Sequence, residues 1–116
     1  MQETKNYKEL LKGTLGPIIL RLLNDNGKMY GYEISQKVKE QSDGKIQIKE
    51  GSLYPALHKL EADGLIVAEE VFIGKRVRRY YKLTTPGKKV AKASVEELVA
   101  FLKTIYGLIT AEPLKA

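Results

Sequence analysis

The chain has 116 residues, of which 43% are hydrophobic and 29% charged, so it holds enough material for one globular domain and is neither wholly disordered nor collagen-like. It contains no cysteine and a single histidine, His58, which excludes a disulfide framework and a thiolate or multi-histidine metal site within one chain. The polar N-terminus and the lack of an apolar run of about 18 residues predict a cytoplasmic protein with no membrane segment. We expect no cofactor.

The positive charge is concentrated in the second part of the chain, although the net value is only +6. Residues 1–70 hold ten basic and eleven acidic side chains, whereas residues 71–116 hold ten basic and three acidic ones. Between Val71 and Val95 there is no acidic residue but there are eight lysines and arginines. Such a block attracts polyanions, which favours nucleic acid as the partner, ahead of an anionic membrane surface.

The first half of the chain is predicted to be helical. Apolar side chains recur at helical spacing and stop at turn-forming residues, which predicts helices over about residues 8–25, 31–42 and 51–63. Between the second and third helices, Ile46 and Ile48 alternate with polar residues, so we predict a very short strand there.

After the third helix the apolar period changes from 3.6 to 2. This change predicts a β-hairpin over residues 65–83, with its turn at Gly74-Lys75-Arg76. A long last helix is then predicted to run to about Ile109, with Thr85 as its cap and Pro86 at its first helical position.

The last helix carries a seam of apolar residues at heptad spacing. The intervals along this seam are 4, 3, 4, 3 and 4, and its members are Ala91, Val95, Leu98, Leu102, Ile105 and Ile109. Further apolar residues flank the seam, so the helix presents more apolar surface than one small core needs. We therefore expect a homodimer that forms through this helix; the alternative is that the seam belongs to the chain's own core.

The order of elements is that of a winged helix-turn-helix, in which the third helix enters the major groove of DNA and the hairpin is the wing. The predicted fold class is mainly α with a small β-hairpin (α+β). Residues 1–84 would form the winged helix-turn-helix DNA-binding domain, and residues 85–116 the dimerisation helix with a short tail.

The third helix has an outward face suited to DNA. At 100° per residue its leucines share one side, whereas Ser52, Pro55, His58 and Lys59 share the other and Tyr54 lies at the border. Serine, histidine and lysine donors suit phosphates and purine acceptors. An idle exposed histidine is the alternative for His58.

Other candidate DNA contacts lie outside this helix. In the wing, Lys75, Arg76 and Arg78 are expected to contact phosphates or the minor groove, and Lys49 and Tyr32 complete the set. The alternative for Tyr32 is that it braces the start of the second helix. Arg79 alternates to the opposite side of the strand from Arg78, so we expect it to be structural, with Glu61 or Glu50 as its partner.

These residues resemble the PadR family of bacterial transcriptional regulators, and the resemblance extends over about residues 10–105. The chain looks like a member of the compact subgroup, which has one C-terminal helix. The matching segments are Leu10–Leu15, Tyr30–Ile34, Glu50–Leu57, Leu60-Glu61, Gly64–Ile66, and Arg78–Thr84 with Gly87.

The resemblance implies a homodimer in which the last helix is aided by the first, here through Leu15 and Ile19. It also implies a repressor that is released by a small aromatic or drug-like effector at the dimer interface. Two third helices related by a twofold axis would enter successive major grooves, so we expect double-stranded DNA with a near-palindromic operator as the partner and association with the nucleoid when bound. Some relatives place an aromatic side chain of the last helix in a central pocket. This chain has no tryptophan, but Leu98, Phe101 and Tyr106 lie along that region.

The rival reading is a basic winged-helix module that docks an acidic partner protein. An enzyme is not expected, because the chain has no phosphate-binding glycine-rich loop, no nucleophile elbow and no metal cluster. The adjacent Glu69-Glu70 and Glu96-Glu97 pairs diverge on a strand or a helix, so neither pair converges on one substrate atom.

Overall fold

The structure is a computed structural model that describes residues 7–112. It has five helices and three strands within that range. In chain order these are α1 (Lys8–Leu11), α2 (Leu15–Asn26), β1 (Met29–Tyr30), α3 (Gly31–Gln41), α4 (Glu50–Ala62), β2 (Ile66–Ile73), β3 (Arg76–Leu83) and α5 (Thr85–Thr110). Residues 1–6 and 113–116, which the predicted domains also include, lie outside the described residues.

The three helices predicted in the first half of the chain are present, but the first of them is interrupted. The first helix is divided into α1 and α2 by a turn at residues 12–14. α2 ends where Gly27 adopts a φ of 78° and its N–H donates to the Leu23 carbonyl at 2.9 Å. A left-handed φ is inexpensive for glycine, which explains why the helix ends at this residue.

The strands form one small antiparallel sheet in the order β1-β3-β2. β2 and β3 are the predicted hairpin, with a register from Ile66 opposite Leu83 to Ile73 opposite Arg76. Gly74 begins the two-residue turn with a φ of 63°, the left-handed value that a tight hairpin needs at this position.

The predicted strand at Ile46 and Ile48 was wrong. The two isoleucines lie in an irregular segment, where both pack on the core and Ile48 is buried. Alternation placed them on one side of an extended segment, but that segment pairs with none of the three strands of the described sheet. The third strand is instead β1, which pairs with β3 through Met29 opposite Tyr81.

One core holds the helices and the sheet together. Leucines and isoleucines of α2, α3 and α4 meet Tyr81 of β3 and Ala91 of α5, and Tyr81 is among the most completely buried side chains. The architecture is mainly helical with a small sheet, as predicted. In the described residues, no helix combines the length and the apolar character that crossing a lipid bilayer would require.

The last helix begins one residue earlier than predicted. Thr84, rather than Thr85, is the cap: its hydroxyl oxygen accepts the Gly87 N–H at 3.0 Å and donates to the Gly64 carbonyl at 2.7 Å. Pro86 consequently lies at the second helical position. Threonine is a favourable cap residue at either position, and the Gly64 carbonyl, which lies beside Thr84, decides between the two.

Candidate nucleic-acid interface

The outer face of α4 carries the side chains that the sequence assigned to DNA. Leu53, Leu57 and Leu60 are buried beneath the helix. Pro55, His58 and Lys59 are exposed and Ser52 is half-buried. Lys59 forms an ion pair with Asp63 at 3.3 Å, but both side chains are exposed. Such a pair contributes little to stability, so the ammonium group is available to a phosphate.

The N-terminal end of α4 adjoins that of α3. The Tyr54 hydroxyl lies against Gly31, so closely that a Cβ there would be 2.5 Å from the hydroxyl oxygen. Partial burial, and then the nearby Glu50 carboxylate, raises the pKa of Tyr54. The hydroxyl therefore stays protonated and keeps a hydrogen to donate. Lys49, exposed at the cap of α4, and the exposed Tyr32 flank this contact.

The end of the wing carries two unpaired cations. Lys75 and Arg76 are exposed at the hairpin turn, and neither forms an ion pair with any residue between 7 and 112. Cations that no carboxylate neutralises give a turn its full positive potential. The two cations would therefore attract a polyanion that is bound against α4.

Arg78 and Arg79 occupy different sides of β3, as the alternation predicts. Arg79 binds Glu61 of α4 at 3.2 Å and Glu70 at 3.7 Å. The expected partner Glu61 is therefore confirmed, whereas the other candidate, Glu50, forms no ion pair with Arg79. These ion pairs link the wing to α4, so Arg79 is occupied within the chain.

Arg78 lies instead on an aromatic cluster that the sequence analysis did not recognise. Its guanidinium carbon is 4.4 Å from the centre of the Tyr30 ring, which contacts Tyr80 edge-on at 5.3 Å and stacks on Tyr32 at 6.5 Å. A hydrogen bond to the Tyr80 side chain, together with the nearby Tyr30, raises the pKa of Arg78. The cluster forms because Tyr30 pairs opposite Tyr80 in the sheet. A strand of only two residues leaves no recognisable pattern in the sequence, so this pairing could not be predicted.

The residues assigned to dimerisation fall into two groups. Leu15, Ile19 and Ala91 are buried in the chain's own core, so within one chain they present almost no free surface to a second copy. Helical periodicity marks an apolar face without showing what covers it. The other five lie further along α5: Val95, Leu98 and Ile105 are half-buried, and Leu102 and Ile109 are exposed.

The comparisons with known proteins agree with this geometry. The profile of the Transcriptional regulator PadR-like family matches residues 19–93. A transcriptional regulator of Mycobacterium tuberculosis is 35% identical over 83 residues, which cover 69% of this chain and 74% of that protein. The resemblance to PadR proteins is thereby confirmed.

Two solved structures are similar to this chain over most of its length. A transcriptional regulator from Clostridium thermocellum is 35% identical, with a TM-score of 0.77 over 85% of this chain and 96% of that one. PadR of Bacillus subtilis, solved in complex with operator DNA, is 30% identical, with a TM-score of 0.64 over 71% of this chain and 46% of that one. Family and fold are those of regulators rather than enzymes, which confirms that expectation. The chain belongs to the PadR-like family of transcriptional regulators.

Proposed function

We propose that the protein is a sequence-specific repressor that binds double-stranded DNA as a homodimer. The observation that carries this proposal is that polar residues face outward on α4 directly beside a wing whose terminal cations have no partner within the described chain. A helix fits the major groove and reads base edges there, while cations beside it hold the backbone. His58 and Lys59 would read bases, and Lys75, Arg76 and Arg78 would contact phosphates or the minor groove.

The second half of α5 supports the homodimer. Beyond Ala91 the helix extends from the core, and large apolar side chains stay exposed along it, including Phe101, Leu108 and Ile109, the last with 78% of its surface accessible. The unpaired apolar face is long, because the 19 residues from Lys92 to Thr110 span about 28 Å. A second α5 packed along the heptad seam would remove this surface from water.

The homodimer sets the form of the operator. Two α4 helices related by a twofold axis would enter successive major grooves on one side of the duplex. The operator would then be a near-palindrome with half-sites about 34 Å apart, one turn of B-form DNA.

Release by an effector would take place at the dimer interface. An open groove of about 460 Å³ on the described single chain is lined partly by Lys28, Glu69, Lys82 and Lys88, a poor match for a planar apolar molecule. The exposed Phe101 and Tyr106 rings of α5 lie on the surface that two copies would share. A small aromatic ligand would bind there and change the angle between the two reading helices.

Selection of random duplexes on the purified protein tests the proposal. A near-palindromic sequence should be enriched, and about seven phosphate contacts in the dimer should give a slope of log affinity against log salt near −6. Binding that does not depend on salt would contradict the electrostatic part. Enrichment of an acidic protein without any duplex would favour the interaction module.

The repressor role and its release need separate measurements. A reporter promoter that contains the selected operator should be transcribed less when the protein is present. Adding planar aromatic compounds to the complex should restore transcription and lower the fluorescence anisotropy of labelled operator. An increase in transcription caused by the protein would contradict repression.

A further inference from the structure

The end of the wing is apolar as well as cationic. Phe72, Ile73 and Val77 are 74%, 44% and 49% exposed, and we call these three residues the apolar tip. Phe72 lies directly opposite Val77 in the hairpin register, so their side chains share one face of the ribbon. Isolated apolar side chains are common on surfaces, but Phe72 and Val77 are cross-strand neighbours and form a patch at the end of the ribbon, while Ile73 alternates to the opposite face.

The fold does not use this patch. The face that carries Phe72 and Val77 also carries Arg79, whose bond to Glu61 marks where α4 covers the wing. Phe72 lies two residues beyond Glu70, about 7 Å further along the strand, and no other described element covers it. The patch therefore remains in water, on the face of the wing that turns toward α4.

The charges around the patch identify what can cover it. Lys75 and Arg76 adjoin the apolar tip, and the nearest acidic residue on β2, Glu70, is already bound to Arg79. An apolar surface surrounded by free cations suits a polyanion that also offers apolar stacking surfaces. Double-stranded DNA has both, and the narrow minor groove has an especially negative potential.

The size of the tip favours the minor groove over the major groove. The minor groove is about 6 Å wide, which excludes a helix but admits a single side chain from a hairpin whose strands are about 5 Å apart. Aromatic and aliphatic side chains that enter this groove separate adjacent base pairs and bend the duplex.

We propose, on the basis of the DNA-binding function proposed above, that Phe72 is an apolar wedge that enters the minor groove beside the major-groove site of α4. Val77 supports the ring from the opposite strand, and Lys75 and Arg76 hold the phosphates on either side. The wedge partly unstacks one base step in each half-site and bends the operator. Steps that unstack easily, such as TA and CA, are therefore preferred there without a hydrogen bond to any base.

The test compares variants of Phe72 on the operator selected by the wild-type protein. Phe72→Ala removes the ring, Phe72→Leu keeps an apolar wedge, and Val67→Ala is the matched control. Val67 is 41% exposed and lies near the base of the wing on the opposite face. Both positions are on the surface, so equal melting temperatures of the three variants and the wild type would show that the fold is intact.

Phe72→Ala should bind the operator about tenfold more weakly or worse, because stacking of one aromatic ring on a base contributes about that factor or more. Resonance energy transfer between dyes at the two ends of the duplex should show that its bend is lost. The salt slope should not change, since no charge is removed, and Phe72→Leu should keep most of the affinity and the bend.

Equal affinity and an equal bend for Phe72→Ala and wild type would overturn the wedge while leaving the DNA-binding function intact. A change in sedimentation of the free protein on Phe72→Ala would also overturn it, by showing that the apolar tip contacts a second copy. Failure of the wild-type protein to select any duplex would instead refute the underlying DNA-binding function.

Discussion

Replacing Gly87 by alanine tests how α5 is joined to the base of the wing. Gly87 lies in the first turn of α5, where a Cβ would overlap the Leu65 carbonyl oxygen and come within 2.9 Å of the carbonyl carbon. Both are backbone atoms and cannot rotate away as a side chain would. The Thr84 hydroxyl, 3.2 Å from the same Cβ position, caps the helix through the Gly87 N–H.

The size of the effect follows from three contributions. Overpacking in a well-packed region costs about 1–3 kcal/mol, and a backbone obstacle places the cost at the upper end. Weakening the Thr84 cap adds about 1 kcal/mol, whereas alanine regains at most about 1 kcal/mol of helix propensity over glycine. We expect Gly87→Ala to lower the free energy of unfolding by about 3 kcal/mol. A domain of this size loses about 4 °C of melting temperature per kcal/mol, so the melting temperature should fall by about 12 °C.

Gly51→Ala is the matched control with the opposite sign. Gly51 is exposed in α4, and nothing lies within 4 Å of where its Cβ would be. This substitution should raise the free energy of unfolding by about 0.5–1 kcal/mol. Thermal unfolding followed by circular dichroism, at one fixed protein concentration because dimerisation shifts the transition, measures both variants. If Gly87→Ala melted within about 2 °C of wild type, the close approach of α5 to Leu65 would be refuted.

Three further predictions concern DNA and assembly. Changing Lys75 and Arg76 together to alanine should weaken binding to all duplexes by similar factors and reduce the salt slope by about two for each wing, as titrations at several salt concentrations would show; a loss confined to the operator would contradict this assignment. His58→Ala should change which bases are preferred in a repeated selection, and an unchanged preference with uniformly lower affinity would remove this residue from base reading. Leu102→Glu combined with Ile109→Glu should give monomers by sedimentation at micromolar concentration with unchanged helical content, since buried like charges oppose association; a persistent dimer would place the interface elsewhere.

Much of the fold could be predicted from local patterns. Leu53, Leu57 and Leu60 repeat at helical spacing and are buried under α4, and strand alternation separated Arg78 from Arg79 before any contact was known. These predictions succeeded because each depends on a period that local backbone geometry fixes.

The features that depend on distant partners were missed. β1 has only two residues, and its pairing with β3 joins positions about fifty residues apart, so no local period marks it. The aromatic cluster under Arg78 follows from that pairing and was missed with it. The heptad seam was likewise ambiguous, because Ala91 lies in the chain's own core while Ile109, eighteen residues later, is exposed.

Thr84 connects the sheet to the last helix without a flexible linker. Only this residue separates β3 from α5, and its hydroxyl binds both Gly64 and Gly87. A helix attached in this way behaves as a lever: a tilt of about 10° at one end displaces the other by about 7 Å over a length of about 39 Å. In the proposed dimer, small rotations at the centre would therefore become large changes in the separation of the two α4 helices. Adding even one residue at Thr84 would shift the two α4 helices out of register with successive major grooves.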